Sequence, residues 1–125
     1  MNAMKDRVPA VVIAILVFVL STFLTEVCST ADEAEQVIKM TAKRYEYNPG
    51  TITVKKGAPV VLEFTSLDRL HGFNCPALGI RTDIAPGKVT TLRFVPGKIG
   101  AFPFHCDIFC GSGHEGMAGT IIVTE

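Results

Sequence analysis

An all-β domain of the two-sheet antiparallel sandwich class is what this sequence predicts for everything after Gln36. Three observations carry that reading: short runs in which apolar and polar residues alternate, turn residues recurring about every 8–12 positions, and no stretch with helical periodicity. The candidate strands are 36–43, 51–55, 59–66, 70–74, 88–95, 100–106 and 118–124. The third shows the pattern most plainly, since Val60, Leu62 and Phe64 alternate with Val61, Glu63 and Thr65 and so send one face to a core. Between the strands lie Asn48-Pro49-Gly50, Lys56-Gly57, Pro86-Gly87 and Pro96-Gly97. In these turns proline presets φ and glycine accepts a positive one.

Ahead of that domain, Lys5 and Arg7 precede a 17-residue uncharged, mostly apolar run, Val8 to Leu24. A basic flank and an apolar core make an export signal. Ser29 and Ala31 form a small-x-small cleavage site, so residues 1–31 read either as a signal peptide or as a single N-terminal membrane anchor helix, with residues 32–125 as one exported domain. Glu26 and Val27 are poor neighbours for a lipidated cysteine, and Cys28 is read as a thiol of the leader. The domain is expected on the periplasmic or extracytoplasmic face, where thiols meet oxidising conditions. Two charges of each sign fall before Asp32, which leaves ten of each from Asp32 onward. Such a balance excludes a nucleic-acid partner of the usual basic kind.

The chemistry is concentrated in residues 105–117, "HCDIFCGSGHEGM". Cys106 and Cys110 are four apart, His114 follows four later and Met117 three after that. Thiolate, thioether and imidazole together suit copper better than magnesium, calcium or manganese. Glycines at 111, 113 and 116 let the loop turn tightly enough for these side chains to converge. His71, at a strand end 35 residues upstream of Cys106, suits a ligand delivered from a neighbouring strand. His71, Cys110, His114 and Met117 are the donor set of a mononuclear blue-copper site, and Cys106 is then surplus, unless a second thiolate bridges two metals. A Cys106–Cys110 disulfide would leave the histidines and Met117 unexplained, and structural zinc rarely takes methionine.

The loop pattern C-x3-C-G-x2-H-x2-M, with an upstream histidine in "HGF", resembles the binuclear copper A domain of cytochrome oxidase subunit II and of nitrous oxide reductases. The resemblance extends through "LGIRTDIAPGKVTTLRFVPGKIGAFPFHC" and covers about residues 44–125. It implies a cupredoxin-like Greek-key sandwich and a mixed-valence pair of copper ions. By the resemblance Cys106 and Cys110 bridge the two coppers, and His71 and His114 bind one each. Met117 and the backbone carbonyl of Ile108 are then weak axial ligands. The implied function is one-electron relay to or from a respiratory oxidase or reductase, with a c-type cytochrome or a terminal oxidase as partner. The same donors also fit a periplasmic protein that stores copper or delivers it to such an enzyme. With every ligand position filled by protein, no open position is left for a substrate, which argues against catalysis by this chain alone.

Three departures from the family are visible. Where its members commonly have a glutamate midway between the cysteines this chain has Ile108, which costs nothing for ligation because the carbonyl is the donor. Subunits II usually carry a two-helix membrane hairpin, whereas this chain has one apolar run, and it has no tryptophan to form the aromatic entry patch. Tyr45 and Tyr47, in "RYEYNP", are the nearest substitutes and are expected to be sandwich filler. His105 precedes Cys106 on a strand and is expected to point away from the metals. Cys75 is expected to be buried filler, and Asp107 and Glu115 solvated rim charges. Asp68 resembles an acidic position near the partner-docking surface.

Overall fold

The computed structural model describes residues 33–125. The expected leader, residues 1–31 with its apolar run and Cys28, lies outside the described residues. Among the described residues nine strands form two sheets that enclose one core. The strands are β1 (Gln36–Lys43), β2 (Glu46–Asn48), β3 (Thr51–Lys55), β4 (Val60–Ser66), β5 (His71–Cys75), β6 (Ile80–Ile84), β7 (Val89–Phe94), β8 (Gly100–His105) and β9 (Ala118–Thr124). One sheet runs β2-β1-β4-β7 and the other β3-β9-β8-β5-β6.

The sandwich class is as expected, and its strand directions need one correction. β1 pairs with β4 in parallel, and β3 pairs with β9 in parallel. Both parallel partners are reached by connections that cross between the sheets, so hydrophobic alternation alone carries no record of direction. β2 and β6 were not anticipated. β2 has three residues, and in β6 Arg81 and Asp83 face outward between half-buried Ile80 and Thr82 and fully buried Ile84.

Alternation builds the core. Met40 and Ala42 of β1, Leu62 and Phe64 of β4, Phe73 of β5, Phe104 of β8 and Ile121 and Val123 of β9 are all buried. Phe73 lies at its centre, with ring centroids 4.8 Å from Phe64 and 4.7 Å from Phe104. Tyr47 meets Phe104 edge-on at 5.1 Å and donates its hydroxyl to the Gly72 carbonyl at 2.5 Å. That bond ties β2, in the first sheet, to β5, in the second. Within the second sheet β5 and β8 are joined by a single residue pair, Asn74 with His105, whereas β8 and β9 share six.

Candidate metal centre

The alternation of β8 decides which way its last residues point. Phe102 and Phe104 face the core, so Cys106 does too, and His105 between them is exposed, as expected. The Cys106 amide donates to the Met117 carbonyl at 3.0 Å, which closes the base of the 106–117 loop where β9 begins. Inside the loop a short 3-10 turn at His114–Gly116 is held by amides of His114, Gly116 and Met117 donating to Gly111, Gly113 and His114. Gly111 has φ of 142°, a conformation that side chains rarely adopt.

From the opposite side β5 brings His71 and Gly72. The Gly72 amide donates to Cys106 Sγ at 3.4 Å, so the two segments touch through backbone and thiol. Glycine makes room there: a β-carbon would collide with the Asp107 carboxylate and lie 3.2 Å from the Asp107 amide nitrogen. The "HG" of the sequence therefore records a close approach of two strands.

The six residues anticipated as ligands sit at this one pole of the sandwich. His71, Cys110 and Met117 are fully buried and Cys106 nearly so. A ring nitrogen of His71 and the sulfurs of Cys106 and Cys110 lie within 4.8 Å of one another. Cys110 Sγ is 3.7 Å from His114 Nδ1 and 3.9 Å from Met117 Sδ. Cys106 Sγ is 3.2 Å from the Ile108 carbonyl oxygen. The donors thus fall into two groups around the sulfur pair, one of Cys110, His114 and Met117, the other of Cys106 and the Ile108 carbonyl. His71 stands beside the two sulfurs, and half-buried His114 lies outside that three-atom cluster.

One feature shows that these residues suit a metal cation. His71 Nδ1 is buried with no hydrogen-bond partner, while its Nε2 is 2.6 Å from Asp68 Oδ1. A buried ring nitrogen left without a partner is costly in a finished fold, and the carboxylate on the other nitrogen is the arrangement that fixes a metal-binding imidazole. Burial, and next the neighbouring Cys106, push the Cys110 thiol above its ordinary pKa and so favour its neutral form while the cluster holds no positive charge. Positive charge in the cluster would favour the thiolate that ligation needs. Cys75, Cys106 and Cys110 are all free thiols.

Asp68 is the residue whose role the sequence hid. It accepts from the Arg44 amide at 2.8 Å, Arg44 Nε at 3.3 Å and the Arg69 amide at 2.7 Å, besides its contact with His71. Burial works against ionisation, but the hydrogen bonds from Arg44, and then from His71, outweigh it and hold the carboxyl well below its usual range. It orients a buried histidine as well as facing the surface. Asp107 is likewise no free rim charge: Arg81 grips it through two bonds of 2.6 and 3.0 Å, which hold its carboxyl below its ordinary value. Glu115 is exposed, as anticipated. Cys75 is buried, with Sγ 4.0 Å from the Phe102 carbonyl, and belongs to the core. The tyrosines divide: Tyr47 is buried in the sandwich, whereas Tyr45 is 37% exposed and lies against the loop.

A two-sheet sandwich with Cys, His and Met converging from one inter-strand loop and a histidine from an adjacent strand defines the cupredoxin class. The cupredoxin-like domain family matches residues 11–123, and two Thermus thermophilus proteins named cytochrome c oxidase subunit 2 are each 35% identical over 104 residues, 76% of this chain. The chain belongs to the cupredoxin-like domain family and, within it, to the cytochrome c oxidase subunit 2 relatives. It spans 77% of the length of one Thermus protein and 62% of the other. The crystal structure of the periplasmic domain of subunit II of cytochrome oxidase of Bradyrhizobium japonicum has the same fold, with a TM-score of 0.66 at 24% identity over 72% of this chain and 84% of that one.

Proposed function

We propose that this chain is an exported electron-transfer protein whose pole site holds two copper ions, and that it relays single electrons to or from a respiratory oxidase or reductase. Residues 1–31 act as the export signal or anchor and residues 32–125 as the working domain, on the extracytoplasmic side. The observation that carries the reading is the split of donors around two adjacent sulfurs, together with the unpartnered Nδ1 of His71. One thiolate would suffice for one copper; a second, equally buried thiolate with its own carbonyl donor is what a bridged pair requires.

In this assignment Cys106 and Cys110 would hold both ions, His71 and His114 would take one each, and Met117 and the Ile108 carbonyl would be the weaker donors. When bound, the copper pair supplies a one-electron couple whose charge is shared over two metals and two sulfurs. The chain's own contribution is rigidity. Asp68 sets the orientation of His71, the Gly72 amide donates to the Cys106 sulfur, and the Cys106–Met117 backbone bond holds the loop base. Donors fixed in this way move little when charge changes, and that keeps the reorganisation cost of electron transfer low. The buried sulfurs also exclude water from the cluster. A c-type cytochrome or a terminal oxidase is the partner class in this reading.

The test is electron paramagnetic resonance with a copper-to-protein ratio on the copper-loaded protein, followed by reduction with a c-type cytochrome. Two coppers per chain, hyperfine structure from one electron shared by two copper nuclei, and rapid reduction are expected. A single-copper spectrum would refute the bridged pair. Loss of copper to an acceptor protein without reduction by any cytochrome would replace electron relay with copper storage or delivery.

A further inference from the structure

The turn between β1 and β2 reaches both halves of the site. Its Arg44 is bound through amide and side chain to Asp68, the carboxylate that orients His71. Its Tyr45 lies flat against the other half. A β-carbon on Gly113 would sit 2.6 Å from Tyr45 Cγ and 2.8 Å from Cε2, and one on Gly111 would be 3.0 Å from Cε1. Two glycines on either side of Ser112 thus form a seat for a single aromatic ring, directly after Cys110 and directly before His114. Nothing in the core needs this ring, since Tyr45 lies outside the buried cluster. What it does cover is the backbone that links Cys110 to His114.

We propose that Tyr45 is a positioning residue for the metal loop: a latch whose ring, held in place by Arg44 and Asp68, keeps residues 111–114 closed over the cluster and slows the escape of bound metal. The ring's face and edge pack on the two glycines, and its hydroxyl, the atom nearest the Gly111 position, also bonds Ser112 and the Gly113 backbone, so packing and hydrogen bonding hold the loop together. The retention half of the inference rests on the copper reading; the loop-closing half does not.

The experiment therefore has a metal-free arm. Amide hydrogen exchange is measured on the full chain without metal for wild type, Tyr45→Ala and Tyr45→Phe. In Tyr45→Ala the hydrogen-bonded amides of His114, Gly116 and Met117 are expected to exchange roughly tenfold faster, as partial burial of one aromatic ring warrants, while β4 amides keep their wild-type rates. Tyr45→Phe keeps the ring but loses the hydroxyl's bonds to Ser112 and Gly113, and is expected to fall between wild type and Tyr45→Ala. Unchanged loop exchange in Tyr45→Ala would overturn the proposal. So would equal acceleration in β4, which would mean only general stabilisation, or a Phe variant as fast as the Ala variant. In the second arm, copper-loaded proteins are mixed with bathocuproine disulfonate under reducing conditions. Tyr45→Ala is expected to start with wild-type copper content and spectrum and to lose copper roughly tenfold faster, in step with its loop opening. Loss at the wild-type rate would also overturn the proposal. If the chain takes up no copper, the functional reading fails and the metal-free arm alone decides the latch.

Discussion

Replacing Asp68 by alanine tests the carboxylate that connects the surface to the site, and its cost can be worked out bond by bond. Asp68 accepts four hydrogen bonds, of which three come from Arg44 and Arg69. Both arginines are exposed, so water replaces the lost acceptor at little cost. The fourth donor is His71, whose side chain is fully buried and whose other nitrogen already lacks a partner. Without Asp68 the whole imidazole is unpaired, and an unsatisfied buried group costs about 1–3 kcal/mol, with bonds to charged partners at the upper end. We therefore expect the metal-free Asp68→Ala protein to lose about 2–3 kcal/mol, which lowers the unfolding midpoint by about 10–20 °C in a domain of this size. Asp68→Asn keeps an acceptor for Nε2–H and should lose about half as much. Thermal unfolding by circular dichroism, with denaturant titration for the free energy, measures both. Lys43→Ala, which removes an exposed 2.9 Å pair with Glu46, serves as a control expected to stay within about 0.5 kcal/mol. If Asp68→Ala matches that control, or if the asparagine variant is as unstable as the alanine one, the hydrogen bond to His71 is not what the carboxylate contributes.

Three further substitutions probe the same pole. Gly72→Ala should destabilise by about 1–3 kcal/mol through the clash with Asp107, and most of that loss should vanish in an Asp107→Ala background; a thermal-melt double-mutant cycle showing simple additivity would contradict the clash. Cys106→Ser should bind one copper per chain instead of two, because His71, Cys110, His114 and Met117 remain; metal analysis that still finds two would remove the bridging role. Met117→Leu replaces a buried thioether with a side chain of similar volume, so copper content should persist and stability change by less than about 1.5 kcal/mol. Voltammetry should show a shifted reduction potential, and an unshifted one would mean that the sulfur does not sense the metal.

Much of this architecture was legible in the chain because it rests on a two-residue period. Phe102, Phe104 and Cys106 share a face by alternation alone, which also puts His105 outside. What was not legible depends on pairs far apart in sequence. Arg81 and Asp107 are 26 residues apart, and only the neighbouring of β5, β6 and β8 brings them together. The inward turn of Asp68 requires knowing that Arg44 approaches from the other sheet. Tyr45 and Tyr47 are indistinguishable by composition, but β2 is a strand in which 47 faces the core, whereas 45 falls on the turn before it. β6 was missed because its core face, Ile80, Thr82 and Ile84, is interrupted by two charges and carries a threonine at its centre.

The single residue pair between β5 and β8 has a mechanical meaning. It is a seam: on one side lies the β5–β6 ribbon with His71, on the other the β3-β9-β8 slab with both cysteines of the loop. Few backbone rungs cross it, so the Gly72–Cys106 contact and any ion gripped from both flanks become its rivets. Filling the site would add cross-links along the line where the second sheet has the fewest rungs of its own, so a bound ion would stiffen a joint that the backbone leaves loosely stitched.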